Sequence, residues 1–182
     1  MVLAFSLWMA HPRPRHVSWT KIALGFLLAG CLLPASAFAQ VPPFTGRVVD
    51  PASVLTPTQS AELARSLEAY ERDTTHQIAV LVTPSLDGES IEVYSLRIAK
   101  AWALGRRHVD NGMLVVLAPN ERQVRIQLGR GFEPFISNER AAVIVQQHML
   151  PHLKGGRYAM GLQEGLDALM KDGRALVAPP LP

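Results

Sequence analysis

Two carboxylates and two amides in the second half of the chain have the chemistry of ligands for a hard cation. Asp110 and Asn111 are adjacent, while Glu133 and Asn138 follow more than twenty residues later. Carboxylate and amide oxygens without sulfur suit Ca²⁺ or Mg²⁺. The sequence therefore predicts a divalent-metal site at these four residues, with one of these two ions as its occupant.

Three arginines accompany the predicted metal ligands. Arg106 and Arg107 precede Asp110 closely, and Arg130 precedes Glu133. A guanidinium group can hold a phosphate through two parallel hydrogen bonds. The three arginines are therefore the predicted phosphate-binding residues.

The same segment also has a purely structural interpretation. Asp110, Asn111 and Gly112 form a common turn sequence, in which aspartate accepts backbone hydrogen bonds and glycine supplies a positive φ. Glu133 would then only complement the dipole of a following helix. Both interpretations are open at this level.

A predicted β-hairpin brings the distant acids together. Residues 113–118 (MLVVLA) are typical of a buried strand, and residues 123–128 (QVRIQL) alternate with the period of a half-buried strand. A four-residue connection makes the two strands antiparallel neighbours. The start of the first strand then lies beside the end of the second, so Asp110 and Glu133 should meet at one end of the sheet.

The remaining pattern predicts a strand and four helices around this hairpin. The strand covers 78–82; the helices begin at Thr56, at Ser90, at Ser137 or Asn138, and at Tyr158, and the third ends near Pro151. A right-handed crossover makes the first two strands parallel. We therefore expect an α/β fold, a three-layer α/β/α sandwich with a small mixed β-sheet.

This topology sorts other polar residues by the end of the sheet at which they lie. We expect residues 105–108, Asp73 and His76 to lie at the same end of the sheet as Asp110. At the opposite end we expect Asp50, Asp87 and Arg122. Gly161 and Gly165 are expected to allow close packing of the fourth helix against the sheet.

The net charge of +3 belongs to the first 39 residues, which contain Arg13, Arg15 and Lys21 and no acid. The remainder has as many basic as acidic residues, which argues against a nucleic-acid partner. Residues 22–33 are apolar and precede a small-residue end at Ala39, as in an export signal. We expect cleavage after Ala39; the alternative is a lipoprotein signal with a lipid on Cys31.

Either alternative places the protein in the periplasm or otherwise outside the cytoplasm. The predicted division is a signal peptide over 1–39, a linker over 40–47, one domain over 48–172 and a flexible tail over 173–182. Cys31 is the only cysteine. The domain therefore has no disulfide and no thiol nucleophile.

The order of these motifs resembles the TPM domain family from about Val48 to about Met170. The signature consists of Asp110, Asn111, Gly112, Arg122, Gly129, Gly131, Glu133 and Pro151. The resemblance implies the same α/β/α architecture, divalent-metal binding at the acidic end and, for some members, phosphatase activity. Asn138 and Arg157 stand where relatives tend to have acids, which weakens a cation site.

Two functions from different classes are compatible with this resemblance. The first is a non-catalytic module that assists assembly, repair or function of a membrane protein complex, as in the family's photosystem II repair and levamisole-receptor members. The second is a metal-dependent acid phosphatase of the cell envelope. We favour the first, because two founding members of the family are not phosphatases, the sequence shows no catalytic triad, and Asn138 and Arg157 stand in place of acids. His148 and His152 lack the zincin glutamate, so zinc binding is not expected.

Overall fold

The computed structural model describes residues 41–132 and 136–174. The predicted leader with Cys31, the residue Glu133 and tail residues 175–182 lie outside these ranges. Within these ranges, a search for a helix with the length and hydropathy of a membrane span finds none.

The described residues form a four-stranded mixed sheet between two layers of helices. The strands are β1 (Val48–Val49), β2 (Gln77–Val82), β3 (Gly112–Ala118) and β4 (Gln123–Leu128), in that spatial order. The first three are parallel and β4 is antiparallel to β3. The predicted fold class is therefore confirmed. β1 was missed, because two residues are too few to show a periodic pattern.

Five helices cover the two faces of the sheet. They are α1 (Pro57–Thr74), α2 (Ile91–Ala101), α3 (Asn138–Ile144), α4 (Leu150–Leu153) and α5 (Tyr158–Arg174). A 3-10 turn (Arg130–Phe132) follows β4, and a π-helical segment (Val145–Met149) joins α3 to α4. The core of one face includes residues of α2, and that of the other includes residues of α1, α3 and α5.

Strand β3 is the centre of both cores. All seven of its residues are buried. Met113, Val115 and Leu117 belong to the core on the side of α1 and α5, whereas Leu114 and Val116 belong to the core under α2. A strand covered on both faces reads as a continuous apolar run, as this one does.

Side-chain caps fix where three helices begin. Thr56 and Gln59 form the predicted capping box, with Pro57 in the first turn of α1. Ser90 accepts a hydrogen bond from the Val93 amide and starts α2. Ser137, rather than Asn138, caps α3 by accepting from the Arg140 amide at 3.2 Å. Each cap satisfies an amide that the helix leaves without a partner.

The helical run that begins with α3 ends at Leu153, two residues beyond Pro151, so the proline itself does not break it. The chain stays helical through the π-helical segment to Leu153, and the Lys154 amide donates to the Leu150 carbonyl at 3.1 Å. Pro151 lies in the first turn of α4, where a missing N–H is tolerated. This continuation places His152 Nε2 2.9 Å from Glu164 Oε2 on α5.

Gly161 and Gly165 allow close packing, but the predicted partner was wrong. A Cβ atom on Gly161 would lie 2.9 Å from Leu153 Cδ2, and one on Gly165 would lie 2.4 Å from Met149 Cγ. Both glycines therefore let α5 approach the α3–α4 helical run rather than the sheet.

Candidate functional site

The hairpin brings the Asp110 loop against the end of β4, as predicted. Met113 pairs with Leu128, and the ladder continues with the Gly129 amide donating to the Gly112 carbonyl at 2.8 Å. The Gly131 amide then donates to the Asp110 carbonyl at 3.2 Å. Two segments that are distant in sequence thus share backbone hydrogen bonds at this end of the sheet.

Four glycines, Gly105, Gly112, Gly129 and Gly131, allow this contact, and we call them the glycine junction. A Cβ atom on Gly129 would lie 2.1 Å from the Asp110 carbonyl oxygen. The other three would also bring a Cβ atom within 2.7 Å of a backbone atom. Since of the four only Gly105 has a positive φ, of +96°, the other three glycines are required by lack of space.

Asn111 is an internal anchor of the Asp110 loop. Its side chain is buried, its Oδ1 accepts from the Arg106 amide at 2.8 Å, and its Nδ2 donates to the Thr75 carbonyl at 2.8 Å. Its own carbonyl accepts from the Gln77 amide at 3.0 Å. The side chain therefore ties the loop before β3 to the connection between α1 and β2.

Gln77 is a second anchor, which the sequence analysis missed. Its Oε1 accepts from the Gly105 amide at 2.8 Å, and its Nε2 donates to Glu71 Oε1 at 2.9 Å. Glu71 also forms an ion pair with Arg47. No motif distinguishes Gln77 in the sequence, because its role depends on the arrival of the α2–β3 loop beside β2.

The arginine rim, which we define as Arg106, Arg107 and Arg130 around Asp110, borders a cleft of about 570 Å³. Arg130 Nε lies 3.5 Å from Asp110 Oδ2, and the two side chains are 85% and 52% exposed. An ion pair so exposed contributes less than about 1 kcal/mol. Both side chains are therefore available to another molecule.

Lys100, in the last turn of α2, lines the same cleft and was not predicted. Lys100 lies five residues before Gly105, where α2 was expected to end. Its place in the last turn of α2 could therefore have been inferred from the sequence. Among the described residues, the cleft thus has four cationic side chains and one carboxylate, that of Asp110, with Leu96, Ala99 and Leu104 among its apolar residues. This charge balance favours an anion over a cation.

The predicted divalent-metal ligands are only partly assembled among the described residues. Asp110 is on the rim, Asn111 points inward, and Glu133 lies outside the described ranges. Asn138 lines a different cleft, beside Val124 and Arg125. Within the described part of the chain no three His, Cys, Asp or Glu side chains converge on a point that could hold a metal ion. The Ca²⁺ or Mg²⁺ site stays a prediction.

Arg157 belongs to the opposite end of the sheet. Its Nε lies 3.7 Å from the position of a Cβ atom on Gly155, and Gly155 lines a cleft with the hairpin residue Arg122. The arginine at this position therefore has no bearing on the charge of the arginine rim. Asp50 also lies at this opposite end, as expected, and accepts from the Leu55 amide at 2.8 Å.

His76 packs against the rings of Tyr70 and Phe132. Its Nδ1 lies 3.3 Å from the Tyr70 hydroxyl, and its ring meets the edge of Phe132 with centroids 4.6 Å apart. Burial lowers the pKa of this imidazole below its ordinary value. The folded protein therefore favours the neutral form.

We expect Gly129→Ala to lower the free energy of unfolding by about 2 kcal/mol or more, because the new methyl group would overlap the Asp110 carbonyl. Urea unfolding measures this change. The control is Gly46→Ala, where no atom lies within 4 Å of the new Cβ. Equal stability of the two variants would contradict the close approach.

We expect His76→Gln to reduce the loss of stability on acidification. As the pH falls through the ordinary histidine pKa of about 6.5, the unfolded chain takes up a proton before folded His76 does, so wild-type stability decreases. Urea midpoints between about pH 7.5 and about pH 5.5 measure the slope. A His76→Gln slope equal to that of wild type would refute this.

Comparisons with known proteins agree with this architecture. The family model described as TPM domain matches residues 48–172. The solution NMR structure of the N-terminal domain of a P. gingivalis protein is similar, with 30% identity, a TM-score of 0.67, and coverage of 72% of this chain and 84% of that one.

Two further solution NMR structures share the fold. The N-terminal domain of a Corynebacterium glutamicum protein has 18% identity and a TM-score of 0.56, covering 75% of this chain and 84% of that one. The BA42 protein of Bizionia argentinensis has 15% identity and a TM-score of 0.60, covering 66% and 82%. A search of curated proteins finds no match.

Proposed function

Because the chain belongs to the TPM domain family, we propose that it is a non-catalytic binding module that assists a membrane protein complex outside the cytoplasm. The observation that supports this proposal is the arginine rim, which borders a cleft of about 570 Å³ whose described residues include four cations and one carboxylate. Guanidinium groups recognise carboxylates and phosphates with paired hydrogen bonds. The partner surface should therefore be anionic. The extracytoplasmic location rests on the predicted export signal.

The surroundings of the rim are those of an interface. Val109, between the arginines and Asp110, is 52% exposed, so an apolar side chain accompanies the charges. Arginine and apolar groups together are typical of the residues that dominate binding energy. Arg106 and Arg107 have no carboxylate partner among the described residues. A partner could engage both without breaking an internal ion pair.

The rim is held in place before any partner arrives. The Arg106 amide is fixed by Asn111, and the Asp110 amide donates to the Arg106 carbonyl at 3.0 Å. The glycine junction fixes the opposite wall of the cleft. A preorganised surface loses less conformational entropy when it binds.

Divalent-metal binding fits the described residues poorly. Asp110 is the only carboxylate on the cleft in the described ranges, and cations surround it. The Asn111 oxygen is already engaged by the Arg106 amide. A metal site would depend on Glu133, and we keep it as a secondary proposal to be tested.

The second candidate function is the phosphatase, and Asp110 is the observation that favours it. This half-exposed carboxylate stands among three arginines suited to hold a phosphate ester. The arginines would bind an anionic group in either function. Only the phosphatase requires the Asp110 carboxylate, so a substitution of Asp110 distinguishes the two proposals.

We expect the full-length protein to recover a stoichiometric complex from membranes of its host, and the Arg106→Gln/Arg107→Gln variant to recover at least about tenfold less. Quantitative pulldown measures the recovery. The control Arg65→Gln/Lys171→Gln removes the same charge from exposed positions of α1 and α5. Undiminished recovery by the rim variant would refute the assignment of the partner to this surface.

We expect no phosphomonoesterase activity that depends on Asp110. Hydrolysis of p-nitrophenyl phosphate is measured for wild type and Asp110→Ala, each with Ca²⁺ or Mg²⁺. Activity in wild type that the substitution abolishes would establish the second candidate.

The melting temperature is followed in the same titrations, because an ion that binds only the folded state must raise it. A rise that Asp110→Ala removes would establish the metal site.

A further inference from the structure

A second cleft, of about 660 Å³, lies at the opposite end of the sheet from the arginine rim. It is formed between the β3–β4 turn and the loop that joins α4 to α5. Arg122 comes from the turn and Lys154 from the loop, while Leu150, Leu153 and Tyr158 come from the helices beside it. The proposed function of the arginine rim does not involve this cleft.

The α4–α5 loop leaves the cleft unobstructed. The Gly155 amide donates to the His152 carbonyl and the Gly156 amide to the Leu153 carbonyl, both at 3.0 Å. Gly156 has a φ of +73°, and no atom lies within 4 Å of the place where its Cβ would be. Glycine is thus needed here for the turn, and its missing side chain leaves backbone facing open space.

The cleft has cations without counterions. Arg122 and Lys154 are exposed, and neither has a carboxylate partner in the described ranges. No acidic residue lines this cleft among the described residues. By contrast, arginines such as Arg125 and Arg140 pair with carboxylates at 3.4 Å and 2.6 Å. Two uncompensated cations on a concave surface attract an anion.

The wall behind these cations is apolar. Leu153, Val124 and Tyr158 are half-buried and pack against the core on the side of α1 and α5, and the half-buried Leu150 lines the cleft beside them. The volume is within the range of about 300–1,000 Å³ that is usual for small-molecule sites. A ligand that fits both parts has an anionic group and a short apolar chain.

We propose that this cleft binds a small amphipathic anion, a phosphate or carboxylate group that carries an alkyl or acyl chain. Arg122 and Lys154 hold the anionic group. Leu150, Leu153 and Val124 contact the chain. The same chemistry belongs to a soluble alkyl phosphate or acid and to the headgroup region of an anionic lipid, and the experiment distinguishes these sources.

The probe is octyl phosphate, titrated below its micelle concentration into the isotope-labelled full-length protein. We expect saturable shifts of the Lys154, Gly155 and Gly156 amides in NMR spectra. Inorganic phosphate and octyl glucoside, which each lack one half of the ligand, should bind at least about tenfold more weakly. Affinity should rise about fourfold for each methylene buried along an ethyl, butyl and octyl series.

The variant Arg122→Gln/Lys154→Gln should weaken octyl phosphate binding by at least about tenfold, because two charge-assisted hydrogen bonds are lost. The charge-matched control Arg65→Gln/Lys171→Gln should bind like wild type. Because both cations of the cleft are exposed, each is also replaced alone, as Arg122→Gln and as Lys154→Gln. Unchanged affinity in the folded double variant, or an absence of shifts at residues 154–156, overturns the proposal.

Sedimentation with vesicles identifies the source of the ligand. If the wild-type protein cosediments with phosphatidylglycerol vesicles and not with phosphatidylcholine vesicles, and the double variant loses this cosedimentation, the cleft binds an anionic lipid. Octyl phosphate binding without cosedimentation assigns it to a soluble ligand. Cosedimentation that the double variant retains removes the lipid from the proposal.

Discussion

Direct backbone contact at the glycine junction is the constraint on which the candidate site depends. The loop entering β3 and the segment leaving β4 touch with no side chain between them, because a Cβ atom at Gly129 or Gly131 would lie 2.1 Å from a carbonyl oxygen. This contact brings Arg106 and Arg107 to one side of a cleft and Arg130 to the other. The arrangement of charge is therefore a consequence of backbone packing.

Polar side chains make that packing specific. The buried Asn111 ties the α2–β3 loop to the α1–β2 connection, and the half-buried Gln77 ties it to the start of β2, each through a hydrogen bond of 2.8 Å. A buried amide without partners would cost a few kcal/mol, so these bonds exclude most alternative loop conformations. The loop has four residues with positive φ, at Ala103, Gly105, His108 and Asp110. Such a conformation persists only where the surroundings determine it.

Much of the fold could be predicted, because local patterns and tertiary packing agree. The capping box at Thr56 is found at α1, and the alternation of residues 123–128 gives β4. The failures occur where packing overrides local rules. Pro151 lies inside a helical run, directly after a π-helical segment that periodicity cannot predict.

The sequence could predict which residues lie at the arginine-rim end of the sheet, but not where each side chain points. Topology placed Asp110 and the three arginines at one end, yet the inward direction of Asn111 depends on an acceptor, the Thr75 carbonyl, that is 36 residues away. Asn138 illustrates the same limit, since the short helix α3 starts beside the middle of β4. Sequence spacing predicts the end of the sheet at which a residue lies more reliably than it predicts the direction of its side chain.

The polar face of β4 has a consequence for the protein at high concentration. β4 is the last strand of the sheet, and a sheet edge is a template for pairing with another chain. The strand is six residues long, and Arg125 and Gln127 on one of its faces interact with Glu92 and Ser95 of α2. Charged side chains on an edge strand are one means by which natural sheets resist edge-to-edge association. The alternation that defines the hairpin thus also places a charge, Arg125, on the edge strand.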